Sequence, residues 1–163
     1  MEWGADMPKK YIIFTLLFSV FILQASFGAA VSCLVIETGA SGGSKSQYSA
    51  MWENSMMDVL FDNGHIVSNA PRMRLDRKPA ASFPPEAEKD YQEARINGME
   101  YFVIAIIEQG SGGVAQTVSL RLFSTDSQKM INEQVYAYSA PKSAREENEN
   151  IKKAVSLIAA QIK

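Results

Sequence analysis

The densest chemistry in this chain lies between Gly39 and Ser46, where Gly39-Ala40-Ser41-Gly42-Gly43-Ser44-Lys45-Ser46 carries two overlapping patterns. One is a near-match to the phosphate loop G-x-x-x-x-G-K-[ST]. There, glycine N–H groups wrap phosphate, the lysine reaches the outer phosphates and the hydroxyl holds Mg²⁺. Lys45 and Ser46 fit, but Ser44 stands where the second glycine belongs. Glu108, after an apolar run, would supply the acid on the metal side. The other pattern is G-x-S-x-G around Ser41, which in α/β hydrolases holds a serine on a tight strand-to-helix turn. His65, the single histidine, would have to be the base, oriented by Asp58 or Asp62. Against this reading, such enzymes need a longer sheet than this chain can supply.

Other chemistry is thin. Asp58 and Asp62 share a helical face at i, i+4, but no zinc spacing exists and the acids are otherwise scattered or sit in helix first turns. No catalytic residue, metal or cofactor is therefore expected. The best contact surface is the basic loop Arg72-Met73-Arg74-Leu75-Asp76-Arg77-Lys78, bounded by Pro71 and Pro79. Arg72, Arg74, Arg77 and Lys78 could meet an acidic partner or an anionic cell-wall polymer, and long loops in compact domains are often functional.

The elements that must position these residues can be read from periodicity. Val31 to Ile36 is a compact apolar strand, followed by a small-residue linker from Glu37 to Ser46. Gln47 to Asn63 reads as a helix with Tyr48, Trp52, Met56, Val59 and Leu60 on one face, stopped at Asn63-Gly64. A short strand follows over His65 to Asn69, then an irregular loop from Pro71 to Pro85. A helix from Pro85 to Asn97-Gly98 turns Ala87, Tyr91 and Ala94 inward. Tyr101 to Ile107 is continuously apolar, as in a strand buried on both faces at the centre of a sheet. Gly110 to Gly113 is a hairpin turn. Val118, Leu120 and Leu122 then alternate with Thr117, Ser119, Arg121 and Phe123, which predicts a strand with one wetter face. Met130 to Tyr138 is the last strand. Ser143 and Glu146 have capping-box spacing and open a final helix with Ile151, Val155, Ile158 and Ile162 on its apolar face. The order β-α-β-α-β-β-β-α predicts an α/β (α+β) domain: a mixed five-stranded sheet with helices packed on it.

Ahead of this domain, Lys9-Lys10 precede the apolar run Tyr11 to Leu23 and a stretch of mostly small residues, Ala25 to Ala30. That is the layout of a secretory signal peptide, and the acids Glu2 and Asp6 place the expected translation start at Met7. Residues 1–30 are thus expected to be the leader and residues 31–163 one exported domain. Ser26 and Gly28 permit cleavage before Ala29; Gly28 and Ala30 permit it before Val31. Two alternatives stay open: an uncleaved anchor, and lipid on Cys33 after processing at Ala30-Val31-Ser32-Cys33. Membrane contact is expected only through these. The chain carries net charge −2, and removing residues 1–30 leaves it unchanged, so nothing draws it to nucleic acid.

Several segments taken together resemble a known group of modules. They are Cys33-Leu34-Val35-Ile36, Met56 to Gly64, Ala94 to Ile104, and Val118 to Ser124 with its turn to Lys129. Their order is similar to the amino-terminal domain of TolB, the curli secretion protein CsgG and the outer-membrane lipoprotein activators of penicillin-binding proteins. The resemblance implies a periplasmic setting and a non-catalytic role in envelope assembly, through an envelope protein or a cell-wall component. It carries over no functional residue. A small serine hydrolase using Ser41 and His65, or a small-ligand-binding domain with an apolar pocket, are the competing expectations.

Overall fold

The computed structural model describes residues 28–39, 47–79, 83–109, 115–137 and 143–163. Strand β1 (Ala30–Thr38) is buried along nearly its whole length. It runs parallel to β4 (Tyr101–Gln109) on one edge, from Val31 opposite Tyr101 to Thr38 opposite Glu108. On its other edge, β2 (Ile66–Asn69) pairs in parallel with Ala30 to Cys33, and β3 (Met73–Leu75) with Ile36 to Thr38. β5 (Ala115–Ser124) joins β4 in antiparallel fashion, and β6 (Met130–Ala137) joins β5 in the same way. β4 is therefore central, as its seven-residue apolar run predicts.

The expected five strands are six, with β2 and β3 sharing one edge of β1. The amide of Ala70 donates to the Cys33 carbonyl at 2.8 Å. Pro71 has no N–H to continue that ladder, so the edge breaks there. It resumes at Met73, whose side chain joins Leu75 against the core around Leu34 and Ile36. A three-residue strand with an arginine in its middle leaves no periodicity to read, which is why this segment reads as loop. β1 also runs two residues further than expected, burying Glu37 and Thr38. The Gly110 to Gly113 turn lies outside the described residues.

Two helices share one face of the sheet. Helix α1 (Gln47–Asp62) puts Trp52, Met56, Val59 and Leu60 onto Val31, Cys33, Val35 and Val103. It ends as its sequence predicts: Gly64 takes φ +86°, the Gly64 amide donates to the Phe61 carbonyl, and the His65 amide donates to the Leu60 carbonyl. Helix α3 (Ala144–Ala159) lays Ile151, Ala154, Val155 and Ile158 beside α1 over β5. Its N-cap is Ser143, whose hydroxyl accepts from the Glu146 amide at 3.2 Å. The Ser55 hydroxyl donates to the Asn148 side-chain carbonyl at 2.8 Å and links the two helices.

The opposite face carries α2 (Glu88–Ile96), entered through a 3-10 turn at Pro85–Ala87. Ala87, Tyr91 and Ala94 point inward as expected. Phe83 meets Tyr91 and Phe123 edge-on at 5.1 and 5.0 Å between ring centres, and Tyr91 meets Phe102 at 5.8 Å. Such geometry sets the positive edge of one ring against the negative face of the next. The expected wetter face of β5 is a correction: Ser119, Arg121 and Phe123 are all buried on this side. Glu133 from β6 makes that possible. Its carboxylate accepts from the Ser119 hydroxyl at 2.9 Å and from Arg121 Nε at 2.8 Å.

Candidate functional site

The described residues alone bring together no part of the nucleotide or hydrolase constellations. Gly39 takes φ +122°, and a Cβ there would lie 2.5 Å from the Gln109 carbonyl oxygen. The missing side chain thus serves the exit of β1 past the end of β4. Residues 40–46, with Ser41, Lys45 and Ser46, lie outside the described residues. Glu108, the would-be metal-side acid, forms an ion pair with Lys78. His65 is half-buried just after α1, and its Nδ1 has no hydrogen-bond partner, so neither Asp58 nor Asp62 orients it. Asp58 instead lies 3.7 Å from Lys152 on α3. Among the described residues no three His, Cys, Asp or Glu side chains cluster as a metal site would need.

The four cations of the basic loop have different surroundings. Arg72 turns inward: Nε is 3.1 Å from Glu53 Oε2, and Nη1 donates to the Ser49 hydroxyl at 3.1 Å. Asn69 Nδ2 donates to the other Glu53 oxygen at 2.7 Å. This network staples the β2–β3 connection to α1. Lys78 is held by Glu108, and Arg74 lies on β3 opposite Glu37 in the register. Arg77 is exposed. The loop therefore offers partners less free charge than its composition suggests.

Cys33 is buried in the middle of β1 against α1. Burial, with a smaller contribution from the Glu53 charge, pushes its thiol up to about 12. The residues before it belong to the fold. The Ile66 amide donates to the Ala29 carbonyl at 3.1 Å, the Ala30 amide to Glu100 Oε1 at 3.1 Å and the Glu100 amide to the Ala30 carbonyl at 2.8 Å.

A feature with no sequence signal lies where α3 crosses β5 and β6. A cavity of about 320 Å³ opens there, at the small end of ligand pockets. Trp52, Val118, Ile151 and Ala154 line it with apolar surface, and Tyr136 and Lys153 add polar groups. The Tyr136 hydroxyl lies 3.2 Å from the Ala154 carbonyl and also contacts the Gln134 side chain. Burial raises its pKa, so it stays a neutral phenol. Trp52 is only 3% exposed, and its indole N–H has no hydrogen-bond partner. The helical face containing Trp52 is legible in the sequence. The gap above it depends on how α3 lies across distant strands, and is not.

The outer edge of the sheet is the second exposed feature. β6 shows Val135 at 63% and Ile131 at 46% exposure on the face opposite α1 and α3. No described helix is long and apolar enough to cross a membrane.

No protein-family model matches the chain, and no curated protein matches it. Solved structures do. Over 84% of this chain and 91% of the other, the fold is similar to a single-residue variant of PelC from Paraburkholderia phytofirmans, crystallised as a dodecamer, at 16% identity and TM-score 0.52. TolB from Acinetobacter baumannii is similar over 83% of this chain and 28% of its own, at 14% identity and TM-score 0.41. The LpoB C-terminal domain from Escherichia coli is similar over 77% and 94%, at 14% identity and TM-score 0.44. The PelC likeness shows a shared fold. The expected likeness to TolB is present at a lower score, with LpoB beside it; a likeness to the curli protein is not shown.

Proposed function

We propose that this chain is an exported, non-catalytic module of the bacterial cell envelope that works by binding an envelope protein. The observation that supports this reading is the fold shared with PelC, a protein crystallised as a dodecamer, in which that fold makes protein–protein contacts. The leader Lys9 to Ala30 supports export. The separation of His65 from any orienting acid weighs against the hydrolase alternative.

On this chain the contact surface is the outer edge of β6, where Ile131 and Val135 are exposed beside Met130. Among the described residues no strand pairs with that edge. An open strand edge offers a row of N–H and C=O groups to a partner strand, and neighbouring apolar side chains give it grip. Arg77, exposed on the loop, offers a second, polar contact that would suit an anionic cell-wall component. The test is site-specific photocrosslinking in living cells. A crosslinker at Val135 is expected to trap one discrete protein adduct in the envelope fraction. The same group at Glu149, exposed on α3, is expected to trap none. Equal adduct patterns at both positions, or none at Val135, would overturn the reading.

A further inference from the structure

We infer that the cleft between the start of β1 and α2 is a subsite for one primary ammonium group, borne by a small free amine or by a lysine side chain. This is independent of the envelope-module reading, which rests on β6 at the opposite edge of the sheet.

Ser32 is where the apolar pattern of β1 breaks. Leu34 and Ile36, next along the same face, are fully buried, as is Phe102 beside it on β4. Ser32 is only 4% exposed, yet its hydroxyl makes no hydrogen bond and is not sealed from solvent. It lines a cavity of about 140 Å³. Ser68, opposite Ser32 in the register of β2, lines the same cavity. Its hydroxyl donates to the Met99 sulfur at 3.7 Å, and its oxygen lone pairs stay free to accept.

The other wall is one face of α2. Asp90, Glu93, Ala94 and Asn97 line the cavity, and their spacing of i, i+3, i+4 and i+7 puts them side by side. Among the described residues, neither the Asp90 nor the Glu93 carboxylate has an ion-pair or hydrogen-bond partner. No lysine or arginine lines the cavity. Burial pushes the Asp90 carboxyl up, opposed by Lys89 and reinforced by Glu93. Lys89 itself is exposed, where solvent and salt screen it. Two hydroxyls and two carboxylates can thus accept hydrogen bonds here, and the uncompensated charge calls for a cation. At roughly 30 Å³ per heavy atom, the cavity holds about four or five heavy atoms, the tip of a chain and not a whole ligand. An ammonium fits because it is compact and carries three donors. A calcium ion needs six or more oxygen ligands, and no three acidic or other metal-binding side chains cluster among the described residues.

The probe is n-butylamine, which like a lysine side chain is protonated at about pH 7. It is titrated at low ionic strength into the ¹⁵N-labelled full chain. The amide signals of Ser32, Ser68 and Ala94 are expected to shift saturably in the low-millimolar range. Uncharged n-butanol is expected to give no saturable shift. Ser32→Ala and Asp90→Asn are each expected to weaken butylamine binding about tenfold, the worth of a hydrogen bond to a charged group. Glu86→Gln, an exposed acid outside the cavity, is expected to leave it unchanged. Nα-acetyl-lysine methylamide separates the two sources. Binding tighter than that of butylamine assigns the subsite to a lysine of a protein; binding no tighter assigns it to a free amine. Signals that do not move, n-butanol binding as tightly as butylamine, calcium chloride shifting the same signals at lower concentration, or undiminished affinity in Ser32→Ala would each overturn the proposal. The butylamine, butanol and calcium titrations of the unsubstituted chain decide it even where a variant fails to fold.

Discussion

Arg72 and Glu53 are joined across 3.1 Å between the β2–β3 connection and α1. An arginine that belongs by sequence to an exposed basic loop is thereby a structural tie. Its guanidinium also reaches Ser49, which is fully buried. Arg72→Ala is expected to lower stability by about 1–2 kcal/mol in urea unfolding, since a hydrogen bond to a charged group is worth about that much and the pair is partly solvated. Arg77→Ala is expected to leave stability within about 0.5 kcal/mol of the parent. A loss of partner binding in Arg77→Ala with unchanged stability would mark the loop as a contact surface.

Arg121 and Glu133 make stability depend on acid. The hydrogen bond from buried Arg121, assisted by Ser119, holds the Glu133 carboxyl below the usual carboxylate range against a smaller opposing effect of burial. A depressed folded pKa contributes stability that is present above the unfolded value, about pH 4.3, and is lost as pH falls through the folded value. The unfolding midpoint in urea is expected to fall below about pH 4.5 in the parent chain. In Glu133→Gln this part of the acid-side decline disappears, together with about 1–3 kcal/mol of stability at neutral pH. An identical acid limb in parent and variant would contradict this assignment.

Cys33 is expected to be silent toward thiol reagents in the folded state. A thiol at about 12 carries almost no thiolate near neutral pH, and the side chain is 1% exposed. Alkylation by iodoacetamide, followed by intact mass, should be undetectable in buffer and complete in denaturant. Rapid alkylation of the native chain would mean that β1 opens far more readily than its burial allows.

The start of β1 bears on processing. Lipidation at Cys33 would require removing Ala29 to Ser32, which carry the pairings with Ile66 and Glu100. Cleavage before Val31 would remove Ala29 and Ala30. A purified chain beginning at Gly28 is therefore expected to be about 2–3 kcal/mol more stable than one beginning at Val31, the worth of two or three hydrogen bonds. Mass spectrometry of the native protein is expected to find its amino terminus at or before Ala29. A native terminus at Val31 or Cys33 would show that these pairings are dispensable.

Much of the architecture was legible in the sequence because its signals are local. The apolar run at Tyr101 to Ile107 marks the central strand, the helical spacing of Trp52, Met56 and Leu60 marks a core face, and Asn63-Gly64 marks a helix end. The parts that escaped are set by distant contacts. β3 exists because Ile36 to Thr38 leaves an edge open for it. Ser119 and Arg121 look solvated until Glu133, which lies on the next strand, satisfies them. The inward turn of Arg72 needs Glu53 and Ser49 from a helix two elements earlier. The cavity over Trp52 needs the path of α3. Segments 40–46 and 110–114 lie outside the described residues, so the candidate nucleophile Ser41 remains a sequence reading.

The break at Pro71 gives the sheet a direction of growth. On the β2–β3 side, two short strands separated by a residue with no amide hydrogen make a poor template for a further strand. On the β6 side, eight consecutive residues form one strand, with a single irregularity of register at Ile131. A strand added at β6 would leave the interrupted β2–β3 side as the other outward edge of the described sheet. Among the described strands, addition is thus favoured on one side of the sheet only, which disfavours the open-ended stacking from which fibres arise.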